Sequence, residues 1–185
     1  MRLFFLYLLA ICLLFQNCTE AKKEPTAANS AEAFYTAEDF KTVEKIDAHV
    51  HVNTNKPDYV QQAAEDNFRL ITINWDDANE PPPMEVQQQF ALQQVKAFPD
   101  RIAYATTFSI RHFNDSDWQS QTINYLKNSF AQGAIAVKIY KVIGMSLRDK
   151  TGELVMIDDP VFDTIINFIS ANKSPVLGHL AEPKN

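Results

Sequence analysis

Lys45-Ile46-Asp47-Ala48-His49-Val50-His51-Val52 is the stretch whose reading decides the fold. Side chains of a β-strand alternate between faces, so His49 and His51 project from one face about 7 Å apart along the strand. Two imidazoles can then converge on one metal ion. Ile46, Ala48, Val50 and Val52 take the alternate positions, as expected of a strand whose other face is covered by helices. Asp47 reads as a structural partner of the pair rather than as a ligand.

Outward from this strand, taken as Val43 to Val52, helical and strand-like stretches alternate. Pro57 opens a helix over Asp58 to Glu65, because proline is tolerated in a first helical turn. Phe68 to Asn74 is rich in β-branched residues and reads as a second strand. Pro81-Pro82-Pro83 breaks the chain before a helix from Met84 to Phe98. There Val86, Phe90, Leu92, Val95 and Phe98 fall near helical spacing, and Gln87, Gln88, Gln89, Gln93 and Gln94 are assigned to a solvated outer face. Arg101 to Ile110 supplies a third strand. A helix through Trp118, Ile123, Leu126 and Phe130 follows, with Asn114 to Asp117 at its start and Gly133 at its end. Ala134 to Tyr140 is the fourth strand, and Arg148 to Gly152 reads as the turn of a small hairpin. Asp159-Pro160 pairs a capping residue with proline at the first position of a helix carrying Phe162, Ile165, Ile166 and Ile169. Pro175 to His179 is the fifth strand. Such alternation, without internal repeats, predicts a parallel α/β architecture.

Composition narrows the function. A chain of 185 residues, 46% hydrophobic and 22% charged, is long enough for one domain with a core. A net charge of −6 without clustered Lys and Arg excludes nucleic acid as a partner and leaves small molecules. Both cysteines, Cys12 and Cys18, precede the folded part, so a metal there must be held by His, Asp, Glu or modified Lys. Arg2 and the apolar run Leu3 to Phe15 are too short to span a membrane and read as an export signal. Cys18 resembles the acylated cysteine of bacterial lipoproteins, although Phe15-Gln16-Asn17 replaces the small residues usual before it. The expected organisation is a signal over 1–18, a flexible tether over 19–42 and a domain over 43–185. The protein would then be exported and held at the cell envelope through lipid on Cys18; periplasmic or secreted forms are the alternatives.

His49-x-His51 on the first strand, Val137-Lys138-Ile139 on the fourth and Pro175-Val176-Leu177-Gly178-His179 on the fifth together resemble the amidohydrolase superfamily, most closely its amidohydrolase-related branch of metal-dependent hydrolases. The resemblance implies a (β/α)8 TIM barrel in which His49, His51 and His179 ligate a divalent metal, with zinc expected. It also implies hydrolysis of a C–N or C–O bond of a small molecule by metal-activated water, at the C-terminal ends of the strands. In some branches a strand-four lysine bridges two metals as a carbamate; Lys138 stands either there or as a partner for a carboxylate or substrate acid. His112 is a possible substrate contact or a solvated loop histidine. Trp75 and Asp76 either line a pocket or cap a loop.

A complete barrel needs about 250 residues, whereas Val43 to Asn185 supplies 143. About five of eight βα units are therefore expected, which makes the chain a partial barrel, truncated and inactive by itself. The open sheet should expose an apolar edge where a sixth strand would pair. Two alternatives stay open beside the hydrolase: a lipoprotein that binds a ligand or metal without turnover, and a decarboxylase of the same superfamily. A phosphoesterase of the other His-x-His barrel type lacks its further acidic and histidine positions here.

Overall fold

The computed structural model describes residues 35–76 and 81–179. Cys18, the stretch read as an export signal and most of the expected tether lie outside them. By its internal contacts the chain divides into Met1–Thr36 and Ala37–Asn185, and the sheet lies in the second unit. Five strands, β1 (Lys45–Val50), β2 (Phe68–Ile73), β3 (Ile102–Thr106), β4 (Ala136–Ile139) and β5 (Val176–Gly178), pair in parallel in sequence order. This is the order of consecutive barrel staves, and the sheet curls as a partial barrel.

Helices connect the strands. Residues 39–42, placed by the sequence at the end of the tether, form the short helix α1 (Asp39–Thr42). Its Phe40 meets Phe68 edge-on at 6.1 Å, and the Lys45 ammonium lies over both rings. The longer helices are α2 (Asp58–Glu65), α3 (Met84–Ala97), α4 (Trp118–Ala131) and α5 (Asp163–Ala171). Gly133 closes α4 with a positive φ of 95° that costs glycine nothing. Asp159 accepts the Val161 N–H at 2.9 Å at the start of the turn leading into α5, as its Asp-Pro pair predicts. Arg148 and Leu154 form a single antiparallel bridge around the Asp149–Gly152 turn, a minimal version of the expected hairpin.

Two apolar clusters join the helices to the outer face of the sheet. Val50, Val52, Val60, Leu70 and Ile102 pack under α2 and α3. The larger cluster gathers Val137 and Ile139 of β4 with Trp118, Leu126, Phe162, Ile165 and Ile169. Burial of each large apolar side chain stabilises by roughly 1.5–3 kcal/mol. The inner face carries smaller residues, Ala105 and Ala136 beside Ile71, Ile73 and Leu177.

Two sequence expectations need correction. Along α3 the inward stripe is Met84, Gln87, Gln88, Ala91 and Gln94, so three of the five glutamines are buried and not solvated. Each has polar partners inside, described below. The second correction concerns β1. Asp47 pairs with Leu70 but Val50 pairs with Thr72, so β1 spends one more residue than β2 over this span. The bulge reverses the alternation. Lys45 and Asp47 share the outer face with Phe68 and Leu70, Ile46 faces inward and is 65% exposed, and beyond the bulge Val50 and Val52 face outward. The four apolar residues therefore do not form one covered face. At the opposite edge Val176 of β5 is 47% exposed, the apolar edge expected of an open sheet.

Candidate functional site

The bulge sets the site. Asp47 Oδ1 accepts the His49 backbone N–H at 3.0 Å, which satisfies a donor that the irregular ladder leaves over. Asp47 is thus a structural partner of the motif. Past it, His49 and His51 point to the inner face with ring centroids 5.2 Å apart at 78°. His51 Nδ1 lies 2.8 Å from the Ile73 carbonyl oxygen, so Nδ1 carries the proton and donates it, and Nε2 keeps its lone pair. The Trp75 indole closes on His51 edge-on, centroid to centroid 4.4 Å.

The other strands bring their residues to the same face. Lys138 is in register with Leu177 of β5, whose side chain packs on the inner cluster, and is only 3% exposed. Burial pushes its ammonium below the ordinary lysine range. None of the ion pairs among the described residues involves it. Thr107, two residues past Ala105, donates its hydroxyl to the Lys138 carbonyl at 2.9 Å and ties the ends of β3 and β4. His179 follows Leu177 by two residues, extends the pairing by donating its N–H to the Ile139 carbonyl at 3.2 Å, and sets its ring near Tyr140.

These groups act on one another electrically. Partial burial, then the charges of Lys138, His51 and His179, hold the His49 imidazole below its ordinary value, while Asp47 acts in the other direction. At neutral pH the ring is uncharged and has a lone pair to offer. Among the described residues, however, no three His, Cys, Asp or Glu side chains stand grouped as a ready-made metal cage. Cys18 lies outside the described residues.

His112 stands apart from this face. Its side chain is 80% exposed, its φ is 61°, and its Nδ1 lies 3.4 Å from Asp115. With Met84, Glu85, Arg111 and Tyr125 it lines a crevice of about 260 Å³ between α3 and α4. Asp76, by contrast, is buried at the end of β2, where Ser109 Oγ donates to it at 2.6 Å and Arg111 pairs with it at 2.9 Å. It therefore fastens the loops after β2 and β3 to each other. Ser109, Arg111 and Gln87 escaped the sequence reading. Their one signal is position, at the strand ends or on the helix that covers them.

Gln87 Oε1 accepts the Trp75 N–H at 2.9 Å, and its Nε2 donates to the carbonyls of Trp75 (3.0 Å) and Pro82 (2.7 Å). Gln94 donates to the Thr54 and Lys56 carbonyls at 2.7 and 2.9 Å. Gln88 joins a buried network: it accepts from the Tyr125 hydroxyl at 2.5 Å and donates to Gln132 at 2.9 Å. Tyr104 and Thr106 complete that network on Ser129. Burial pushes the Tyr125 phenol up to about 12.

No protein family matches the chain by its sequence, and no curated protein matches it either. Among solved structures the chain is similar to the crystal structure of a probable 2-pyrone-4,6-dicarboxylic acid hydrolase from Acinetobacter baumannii with citric acid bound. The two are 17% identical with a TM-score of 0.47, over 74% of this chain and 49% of that one. The chain thus spans about half the length of that protein. A likeness this distant carries neither fold nor function across, and both rest on the chain's own residues.

Proposed function

We propose that the inner ends of β1, β4 and β5 form the site of an amidohydrolase-type, metal-dependent hydrolase of small molecules, with His49, His51 and His179 holding the metal. What carries this reading is one observation: the His49 and His51 rings stand 5.2 Å apart on the inner face, to which the pairing of β4 with β5 also brings Lys138 and His179. The donor set fits a divalent metal such as zinc, because the ligand form is the neutral imidazole. The lowered His49 value favours that form, and the His51 bond to the Ile73 carbonyl engages Nδ1 and so leaves Nε2 as the nitrogen that would ligate. Bound there, the metal would bring the pKa of a water towards 7 and polarise the scissile group.

The chain's own residues supply the surroundings. Lys138 is a buried ammonium with which a substrate carboxylate would pair; a carbamate is its other chemistry. Trp75 walls the site beside His51. One feature favours the second reading, a binding protein without turnover. Among the described residues no carboxylate is free to shuttle a proton beside the imidazoles, since Asp47 faces outward and Asp76 is committed to Arg111 and Ser109. Export and lipid attachment at Cys18 are proposed from the sequence, and mass spectrometry of the envelope-bound protein would read them. Among the described residues no helix is long and apolar enough to cross a membrane.

The test is zinc and cobalt uptake together with turnover on a panel of amides, lactones and esters. The expected result is metal uptake by this chain and hydrolysis by a form that completes the barrel, both lost in His179→Ala. Uptake without turnover selects the binding protein, and carbon dioxide release from carboxylated substrates selects a decarboxylase. A folded chain that takes up neither metal overturns the metal reading.

A further inference from the structure

We infer that Gln87 is a positioning residue for His51 and acts on it through Trp75. Both contacts that orient the His51 ring come from one short stretch: the Ile73 carbonyl faces Nδ1, and the Trp75 indole packs on the ring two residues later. Trp75 does not anchor itself, because its indole Nε1 is buried with no hydrogen-bond partner among the described residues. Beyond Ile73 the chain has left β2, and the Trp75 N–H and C=O are both closed by the Gln87 amide. That side chain thus acts as a one-residue strand partner. Its third bond, to the Pro82 carbonyl, holds it from the far side. Gln87 is almost fully buried, so water cannot replace it.

Groups behind a ligand fix its ring and tautomer, and their loss typically costs about 10–100-fold in metal affinity. The inference takes His51 as a site residue, as proposed above, but the orientation of its ring can be measured with no metal present.

The experiment compares Gln87→Met with Gln88→Met in the full chain. Both remove a buried amide from neighbouring positions of α3, but the partners of Gln88 lie in α4 or, for Gln132, just past its end. Nitrogen-15 NMR of the imidazoles at pH 8, without metal, should show His51 as a single Nδ1–H tautomer in the wild type and in Gln88→Met, and as a mixture in Gln87→Met. Cobalt affinity should fall about tenfold in Gln87→Met alone. If Gln87→Met does not fold, Gln87→Glu, which keeps an acceptor for the Trp75 N–H, carries the same comparison. An unchanged His51 tautomer in a folded Gln87 variant, or an equal change in Gln88→Met, overturns the inference. If the wild type takes up no metal, the hydrolase reading fails while the tautomer result still decides this one.

Discussion

Helices α3 and α5 both cover the outer face of the sheet, and they do it with opposite chemistry. α5 buries Ile165 and Ile169, with Phe162 just ahead of it, in the larger apolar cluster, and Asp159 caps the turn that leads into it. α3 buries Gln87, Gln88 and Gln94 along the same kind of stripe. Where a helix covers completed strands, oil suffices. Where it covers the points at which strands give way to loops, backbone groups stand unpaired and amides must meet them. Gln94 reaches the loop after β1, Gln87 reaches the chain after β2, and Gln88 reaches α4. One helix supports the sheet; the other supports the loops around the candidate site.

The largest effect should come from α5's side. Phe162→Ala empties a site packed against Phe108 and Trp118 and should cost about 3–5 kcal/mol in urea unfolding. A loss below about 1 kcal/mol would mean that this cluster does not hold the helix to the sheet. On α3 the glutamines should separate. Gln94→Leu leaves the Thr54 and Lys56 carbonyls without their amide and should cost about 1–3 kcal/mol. Gln89→Ala and Gln93→Ala, on the exposed face, should stay within about 0.5 kcal/mol. Equal costs at all three positions would erase the contrast between the helices.

The smallest effect on stability belongs to the inner face, which neither helix touches. Lys138→Met removes one of the charges that depress His49, so the His49 pKa read by NMR should rise towards its ordinary value while burial keeps it from reaching it. The sign for stability follows. His49 is depressed in the folded chain, so the unfolded chain takes up the proton first, and stability falls as pH drops below about 6.5. Lys138→Met should make that fall shallower. A His49 pKa unmoved by the substitution would show that the two groups do not share a face.

Much of the fold was legible because local signals agreed with it. The β-branched run at 68–73, Pro57 ahead of α2, Gly133 after α4 and Asp159-Pro160 ahead of α5 each mark an element at or near its observed bounds. The parallel pairing followed from alternation, and the sequential strand order is that of the barrel which the resemblance implies. What stayed hidden has physical causes. The inward stripe of α3 has helical spacing, but its glutamines read as solvent-facing because a sequence does not reveal which backbone groups will need an amide. The Asp76, Ser109 and Arg111 cluster joins two loops far apart in sequence. Of the histidines, His49 and His51 reach the inner face only because the bulge shifts the phase of β1, His179 follows the alternation of β5, and His112 stands apart.

The bulge in β1 has a consequence for how such motifs are read. A strand's side chains have a phase, much as codons have a frame, and one inserted residue shifts it. Counting from Lys45 in the lower phase would send His49 and His51 among Val60 and Leu70; counting back from Val52 in the upper phase sends them to the inner face. The spacing His-x-His is therefore meaningful only downstream of Asp47. The carboxylate that caps the His49 N–H marks the place where the frame changes.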